Sequence, residues 1–359
     1  VSREPRPTLL NPLLAFPSAL YRTGVRLRLW AYEMRLIGRK SLPGFVLSVG
    51  NLTAGGTGKT PAVVMLARWA QREGYRVAIL SRGYGGSYQS KVLEVSDGER
   101  IKADPEQAGD EPYLLAKNLH GVPIALSKRR ILAGRYVQER FGSEFFILDD
   151  GFQHLELKRD LNLLLMDAGN PFGSGHLLPR GSLREPLDQL ARADAFILTR
   201  FKGDRFGEET RAYLQREFPE IPVFCSDHLP DKVIVPSIHG LYDPEFLKGK
   251  GVLAFAGIAR PELFRETLEG LGTNVVHFQG FRDHHRYSER EIRGLLRLKE
   301  RIGAQYLVTT EKDWSRGSFE AISDPHVAYL QIRFSMVSGE KAFFQLIRNR
   351  VHNTFGPRR

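Results

Sequence analysis

Short apolar runs that end in glycine or in an acid recur along this chain, and stretches with helical spacing lie between them. Phe45 to Val49, Val77 to Leu80, Phe145 to Leu148, Leu161 to Met166 and Ala195 to Leu198 are apolar without alternation. Runs of that kind read as parallel strands covered on both faces. Helical spacing follows Pro61, Tyr113 and Pro261, and Ser288-Glu-Arg-Glu291 is a capping box for a helix running to about Ile302. The alternation predicts an α/β fold built on a parallel sheet, with a core over residues 41–228. Residues 229–251 mix short apolar runs with Pro, Gly and charge and read as a linker. Val252 to Ala256, Asn274 to Phe278 and Gln305 to Thr309 then open a second, smaller α/β domain over 252–359, whose last helix is able to return to the core.

The first forty residues follow another pattern. Leu20, Leu27, Trp30, Met34 and Ile37 recur at helical steps, with Arg22, Arg26 and Arg35 mostly off that stripe. The segment carries eight Lys/Arg against Glu4 and Glu33, so +6 of the chain's net +11 sits in about a ninth of its length. It is too charged to span a bilayer and lacks the apolar core and cleavage site of a signal peptide. A basic amphipathic helix at a membrane surface is the expectation, each cation near an anionic leaflet contributing about 1 kcal/mol. The plainer alternative is a helix packed on its own domain with a solvated arginine face. No aromatic-basic repeat or recognised motif supports nucleic-acid binding. At 359 residues the chain has room for two domains, and its one cysteine, Cys225, excludes a disulfide framework and a multi-Cys metal site. A buried structural thiol suits Cys225.

The run Phe45 to Val49 leads into Gly50-Asn-Leu-Thr-Ala-Gly-Gly-Thr-Gly-Lys-Thr-Pro61 and then a helix, which is the strand–loop–helix context of a P-loop. Thr53, Ala54, Gly55, Gly56, Thr57 and Gly58 would wrap backbone N–H groups around phosphates at a helix N-terminus. Lys59 would reach the β- and γ-phosphates of a nucleotide and Thr60 would ligate Mg²⁺. Thr53 replaces the usual first glycine. Ala54 stands where some membrane-associated switch ATPases carry a lysine, which argues against them. The fold is therefore expected to be a P-loop NTPase core. Asp149 and Asp150 end an apolar strand, where the Mg²⁺-holding acid belongs, with Gln153 and His154 in the adjoining loop. Arg180 and Arg184 in the long Gly/Pro/Arg loop are candidates for phosphates, and Glu185 for assisting the metal. Arg82-Gly-Tyr-Gly-Gly86 should line the same cleft, though its composition fits a plain turn between elements equally well. Asp110 and Glu111 read, on spacing, as helix caps.

Taken in order, Ser48 to Pro61, Ser81 to Gly86, Gly109 to Pro112, Leu148 to His154, Leu183 to Pro186, Asp283-His284 and Thr310-Glu-Lys-Asp313 closely resemble the motifs of the tetraacyldisaccharide 4′-kinase family. The resemblance spans nearly the whole chain, variant P-loop opening included. It implies ATP- and Mg²⁺-dependent phosphorylation of the 4′-hydroxyl of an acylated glucosamine disaccharide 1-phosphate, late in lipid A biosynthesis. It implies a peripheral enzyme, a monomer in expectation, on the cytoplasmic face of the inner membrane. It makes Asp110 the catalytic base and His284 its partner, with Lys59 at the phosphates and Thr60, Asp149, Asp150, Gln153 and Glu185 around the metal. Arg82, Tyr84, Arg130 and Arg184 are the candidates for holding the acceptor. A membrane-associated P-loop ATPase switch is the rival reading.

Overall fold

The structure is a computed structural model that describes residues 13–317, 319, 322 and 324–356. Residues 1–12 of the basic segment and 357–359 of the second domain lie outside the described residues. The strands are β1 (Phe45–Asn51), β2 (Val77–Ser81), β3 (Leu93–Ser96), β4 (Ile124–Leu126), β5 (Phe145–Asp149), β6 (Leu161–Asp167) and β7 (Ala195–Thr199). Beyond them come β8 (Val223–Val235), β9 (Gly240–Tyr242), β10 (Gly251–Ala256), β11 (Asn274–Gly280), β12 (Tyr306–Thr310) and β13 (Val327–Ser338). The helices are α1 (Ala15–Glu33), α2 (Lys59–Arg72), α3 (Pro105–Ala108), α4 (Asp110–Asn118), α5 (Arg130–Phe141), α6 (Arg205–Glu217), α7 (Pro261–Gly270), α8 (Glu289–Arg301), α9 (Glu311–Trp314) and α10 (Glu340–Phe355).

All the strands join one sheet in the order β11-β10-β12-β13-β8-β7-β6-β1-β5-β2-β4-β3, with β9 on the edge of β8. The β1 neighbours β5 and β6 are parallel to it, as the unbroken apolar runs require. Side chains alternate between its faces. Phe45, Leu47 and Val49 pack with Ala62, Leu66 and Trp69 of α2, while Val46 packs with Ile131 and Val137 of α5. Each fully buried side chain of this size contributes about 1.5–3 kcal/mol, so β1 is anchored from both sides. The α/β expectation is met. The C-terminal helix α10 lies against the first half: Phe343, Ile347 and Val351 share its core, and Phe344 stacks on Trp69 at 5.2 Å.

Residues 229–251 differ from the expected linker. Leu229 to Val235 continue β8, which pairs antiparallel with β13 and joins the two halves in one sheet. Leu-Pro-Asp-Lys reads as coil because it mixes breakers with charge, yet this stretch is only half-buried and tolerates both. Pro230 sits where the β8/β13 register shifts, the position a strand allows to proline.

The helix α1 docks through a different face from the apolar stripe. Ser18 Oγ donates to Leu177 O (2.9 Å), Tyr21 OH to Arg184 O (2.8 Å) and Arg28 Nη2 to Gln153 O (2.5 Å). Phe16, Leu20, Leu27 and Trp30 stay 49% to 72% exposed, and Met34 and Ile37 fall beyond the helix end. Among the described residues no helix is long and apolar enough to cross a membrane. The carboxyl ends of β2 and β5 and the loop after β1, with the loops after β10 and β12, face a cleft of about 1970 Å³.

Candidate active site

The loop between β1 and α2 has the geometry of a phosphate cradle. Gly58 stands at the helix N-cap with φ +82°, and a Cβ there would lie 2.1 Å from His228 Nε2, so only glycine fits. Ala54 N–H is spent on Ser182 O at 2.6 Å, and Thr53 bridges to Leu183, which fixes the loop's rim. Among the described residues the amides of Gly55, Gly56, Thr57, Gly58, Lys59 and Thr60 donate to no protein acceptor. They form, with the positive end of α2, an anion site. Lys59 is buried and its Nζ lies 3.1 Å from Asn51 Oδ1 and 3.4 Å from Asp150 Oδ1. The buried Thr57 Oγ1 has no partner.

Asp149 and Asp150 end β5 beside this loop and separate in role. Asp150 is held by Arg184 Nη1 at 2.7 Å and by Lys59; burial raises its pKa, but these cations outweigh it and keep the carboxyl below its ordinary value. Asp149 is buried with one oxygen accepting from Ser81 Oγ at 3.0 Å and the other, Oδ1, without a partner. Burial, with Glu111 and Asp150 nearby, pushes it up to about 7. A buried carboxyl in that state favours its protonated form unless a cation comes to it. Gln153 and Glu185 also line the cleft, but Gln153 Nε2 donates to Asn51 O (2.9 Å), and one oxygen of Glu185 pairs with Arg192. Among the described residues no three acidic, His or Cys side chains form a metal cluster. Thr60, one carboxylate and nucleotide oxygens suit Mg²⁺, which keeps much of its own water.

Across the cleft, Asp110 is the first residue of α4. Both it and Glu111 lie in the first turn, as the spacing suggests, but the N-cap is Gly109. Among the described residues the Asp110 side chain bonds across the cleft and not to the helix start. Gly109 stands before it at φ +85°, and a Cβ there would lie 2.5 Å from Tyr84 O, so the glycine loop after β2 seats the start of α4. Asp110 Oδ2 lies 2.9 Å from His284 Nδ1, from the loop after β11 in the other half. Arg316 Nε donates to the same oxygen at 2.6 Å. Burial raises the Asp110 pKa, but the His284 hydrogen bond and the Arg316 charge prevail and hold it below the ordinary carboxylate range. Among the described residues Asp110 Oδ1 has no partner. A carboxylate with one free oxygen thus faces an anion cradle across the cleft, an arrangement that can serve phosphoryl transfer to a hydroxyl.

The family model for tetraacyldisaccharide-1-P 4′-kinase matches residues 10–352. This chain belongs to that family. A tetraacyldisaccharide 4′-kinase of Syntrophus aciditrophicus (strain SB) is 45% identical over 312 residues, 84% of this chain and 83% of that one. One from Pelobacter propionicus is 44% identical, covering 86% of this chain and 83% of its own. The crystal structure of LpxK from Aquifex aeolicus in complex with ATP matches with a TM-score of 0.75 and 33% identity, over 96% of this chain and 100% of that one. The P-loop NTPase character expected from the motif holds.

Other residues of this tetraacyldisaccharide 4′-kinase family member sort by position. Arg82, Tyr84, Arg130 and Arg184 all line the cleft. Arg130 is buried with Nε unpartnered, and burial, with Arg82 nearby, brings its pKa down to about 10. Tyr84 is exposed. Arg184 is engaged by Asp150, so its first duty is to that acid. Arg180 lines a separate small groove beside α1. Sequence reasoning missed Arg316, Arg200, Arg260 and His228. Arg200 Nη2 donates to Gly56 O of the phosphate loop (2.8 Å) and Nη1 to Asp167 (2.6 Å), and Arg260 reaches the same Asp167 from the second half. His228 presses on Gly58 with its Nε2 unpartnered, and burial drops its pKa to about 3. Isolated basic residues after strands carry no spacing signal, so only the fold brings them in.

Proposed function

We propose that the chain transfers the γ-phosphoryl group of ATP to the 4′-hydroxyl of an acylated glucosamine disaccharide 1-phosphate, with Asp110 as base. The Asp110–His284 pair across the cleft from the phosphate loop carries this reading. Asp110 Oδ1, the free oxygen, takes the hydroxyl proton as the oxygen bonds to the γ-phosphorus and the bond to the ADP leaving oxygen breaks. A carboxylate with a low pKa is a weak base, but a loose transition state asks chiefly for in-line placement and a late proton transfer. His284 holds the carboxylate's other oxygen and gives that proton an onward path. Lys59 and the free amides of Gly55 to Thr60 meet the charge of the phosphates. Thr60 and Asp149 would hold Mg²⁺, which when bound offsets charge on the phosphate oxygens. Asp150 instead fixes Lys59 and Arg184.

The exposed apolar face of α1 supports peripheral attachment at an anionic membrane surface. Tyr21, Val25 and Arg28 of the same helix line the cleft, so a headgroup can enter while acyl chains stay in the leaflet. The test is transfer of labelled γ-phosphate from ATP to a detergent-dispersed acylated glucosamine disaccharide 1-phosphate. Wild type should label the lipid, and Asp110→Asn should lose roughly 10²- to 10⁴-fold in rate while still binding ATP. ATP turnover without labelled lipid would instead indicate a switch ATPase, and an active Asp110→Asn would remove the base assignment.

A further inference from the structure

The Thr310-Glu-Lys-Asp313 motif has no part in the chemistry above, yet everything around it converges on the base. Thr310 caps α9 by accepting from Asp313 N at 3.1 Å, and its hydroxyl donates to Asp313 Oδ2 at 2.6 Å. The buried Asp313 accepts from Gly257 N and from Tyr287 OH on Oδ1, each at 3.1 Å. Arg316, one turn further on, is thereby seated: Nη1 donates to Gly257 O at 2.8 Å and lies 3.4 Å from Asp313 Oδ1. Its side chain is fully shielded from solvent. Nε then reaches Asp110 Oδ2, and Nη2 lies 3.1 Å from His284 Nδ1. The rest of α9 grips the helix that carries the base. Lys312 Nζ lies 3.5 Å from Glu111, and Glu311 accepts from Asn118 at 2.9 Å, at opposite ends of α4.

We infer that Arg316, seated by Asp313, is a positioning residue that turns the Asp110–His284 pair into a three-membered unit assembled only when the two halves of the chain meet. This deepens the reading of Asp110 as base and rests on it. Arg316 and His284 both occupy Oδ2, which leaves Oδ1 as the one oxygen for the acceptor hydroxyl. A buried guanidinium with several fixed acceptors allows that carboxylate little rotation. Lysine has the charge but not the fork. Arg316 is not among the described residues that line the cleft, so it acts through Asp110.

The charged neighbours of the unit are few. Asp283 Oδ2 stands 3.9 Å from His284 Nε2, Glu111 is paired with Lys312, and Asp313 and Tyr287 lie behind Arg316. None of these supplies a second cation to Asp110. Loss of Arg316 therefore leaves the carboxylate with His284 alone, and its pKa rises toward the ordinary range and above it through burial.

The test uses the full chain, with Arg316→Ala, Arg316→Lys, Asp313→Asn and Asp110→Asn beside wild type. Arg316→Ala and Arg316→Lys are expected to lower kcat by about 10²-fold and leave KM for ATP within about threefold, a loss confined to the transition state. The acid limb of the kcat–pH profile should move up by about one unit or more in Arg316→Ala, because the base then protonates at higher pH. Guanidinium ion should restore part of the Arg316→Ala rate but none of the Asp110→Asn rate. Asp313→Asn should give a smaller loss of the same kind. Variants of Arg316 that fold, bind ATP and keep the wild-type acid limb and kcat would overturn the inference while Asp110→Asn stays inactive. An active Asp110→Asn would overturn the base reading itself. If Arg316→Ala does not fold, Arg316→Lys decides: kcat and acid limb unchanged would refute the role.

Discussion

Asp149 and Asp150 are adjacent in sequence and end the same strand, but the backbone sends them to different partners. Asp150, at φ +52°, turns to Lys59 and Arg184, while Asp149 keeps one oxygen unpartnered. Asp149→Asn is expected to raise the Mg²⁺ concentration needed for half-maximal transfer by about tenfold or more. Asp150→Asn should instead raise KM for ATP, through a misplaced Lys59, with a smaller change in Mg²⁺ dependence. A Mg²⁺ titration of each variant separates the two, and equal small effects would remove the metal role. The Asp149 carboxyl is raised from 3.8 to about 7, so the metal-free fold favours its protonated form. It costs stability increasingly as pH rises through that window and a constant amount above it. Melting measured without metal should therefore show Asp149→Asn gaining on wild type from about pH 4 to about pH 7, and Mg²⁺ with nucleotide should narrow the gap. At this scale the sequence shows residue types well and pairings poorly. Two acids after an apolar strand point to charge at the strand end, but which one is left free depends on Ser81 and Arg184, from distant strands and loops. Arg316 had no signal at all, because an arginine after a one-turn helix looks like any surface cation until Gly257 and His284 are brought to it.

Among the elements, α1 and β8 show where periodicity informs and where it does not. The three- and four-residue spacing in α1 identified a helix and an apolar stripe, and the helix docks by Ser18, Tyr21 and Leu29 instead. Polar anchoring of one face leaves the apolar one for another surface. Replacing Leu20, Leu27 and Trp30 together by serine should lower binding to anionic vesicles by about 10²-fold or more, at roughly 1.5–3 kcal/mol for each fully inserted side chain. Transfer to a detergent-dispersed acceptor should hold within about threefold, read in the same preparation. Equal vesicle binding by wild type and variant would assign the stripe another purpose. In β8 the pattern misled, since a half-exposed antiparallel ribbon accepts the proline and charges that a buried parallel strand rejects. The buried strands β1, β5, β6 and β7 were legible because their runs are mostly apolar, with few polar residues such as Ser48 and Asn162 among them.

On the scale of the whole molecule, ion pairs join the two halves across the cleft. Arg260, at the start of α7, reaches Asp167 at the end of β6, and Asp167 holds Arg200, which holds Gly56 O of the phosphate loop. Closure and the shape of the nucleotide cradle are thus linked through a single carboxylate. Arg260→Ala should raise KM for ATP by about three- to tenfold with vesicle binding unchanged, since a partly exposed pair is worth about 1 kcal/mol. An unchanged KM would show that the halves close without this contact. The sequence reads as two domains, but the strands of both fuse into one sheet through β8 and β13, and pairing partners more than ninety residues apart leave no local trace. The return of α10 has a consequence for how the chain is made. Trp69 and the outer side of α2 are covered by Phe343, Phe344 and Ile347, which are synthesised long after α2. The phosphate-binding half is therefore synthesised early but cannot close its core until α10 has been made. A nascent chain must carry that apolar face uncovered throughout, and one stopped before Glu340 is expected to aggregate rather than accumulate as a soluble nucleotide-binding fragment, as a sedimentation assay of the truncation would show.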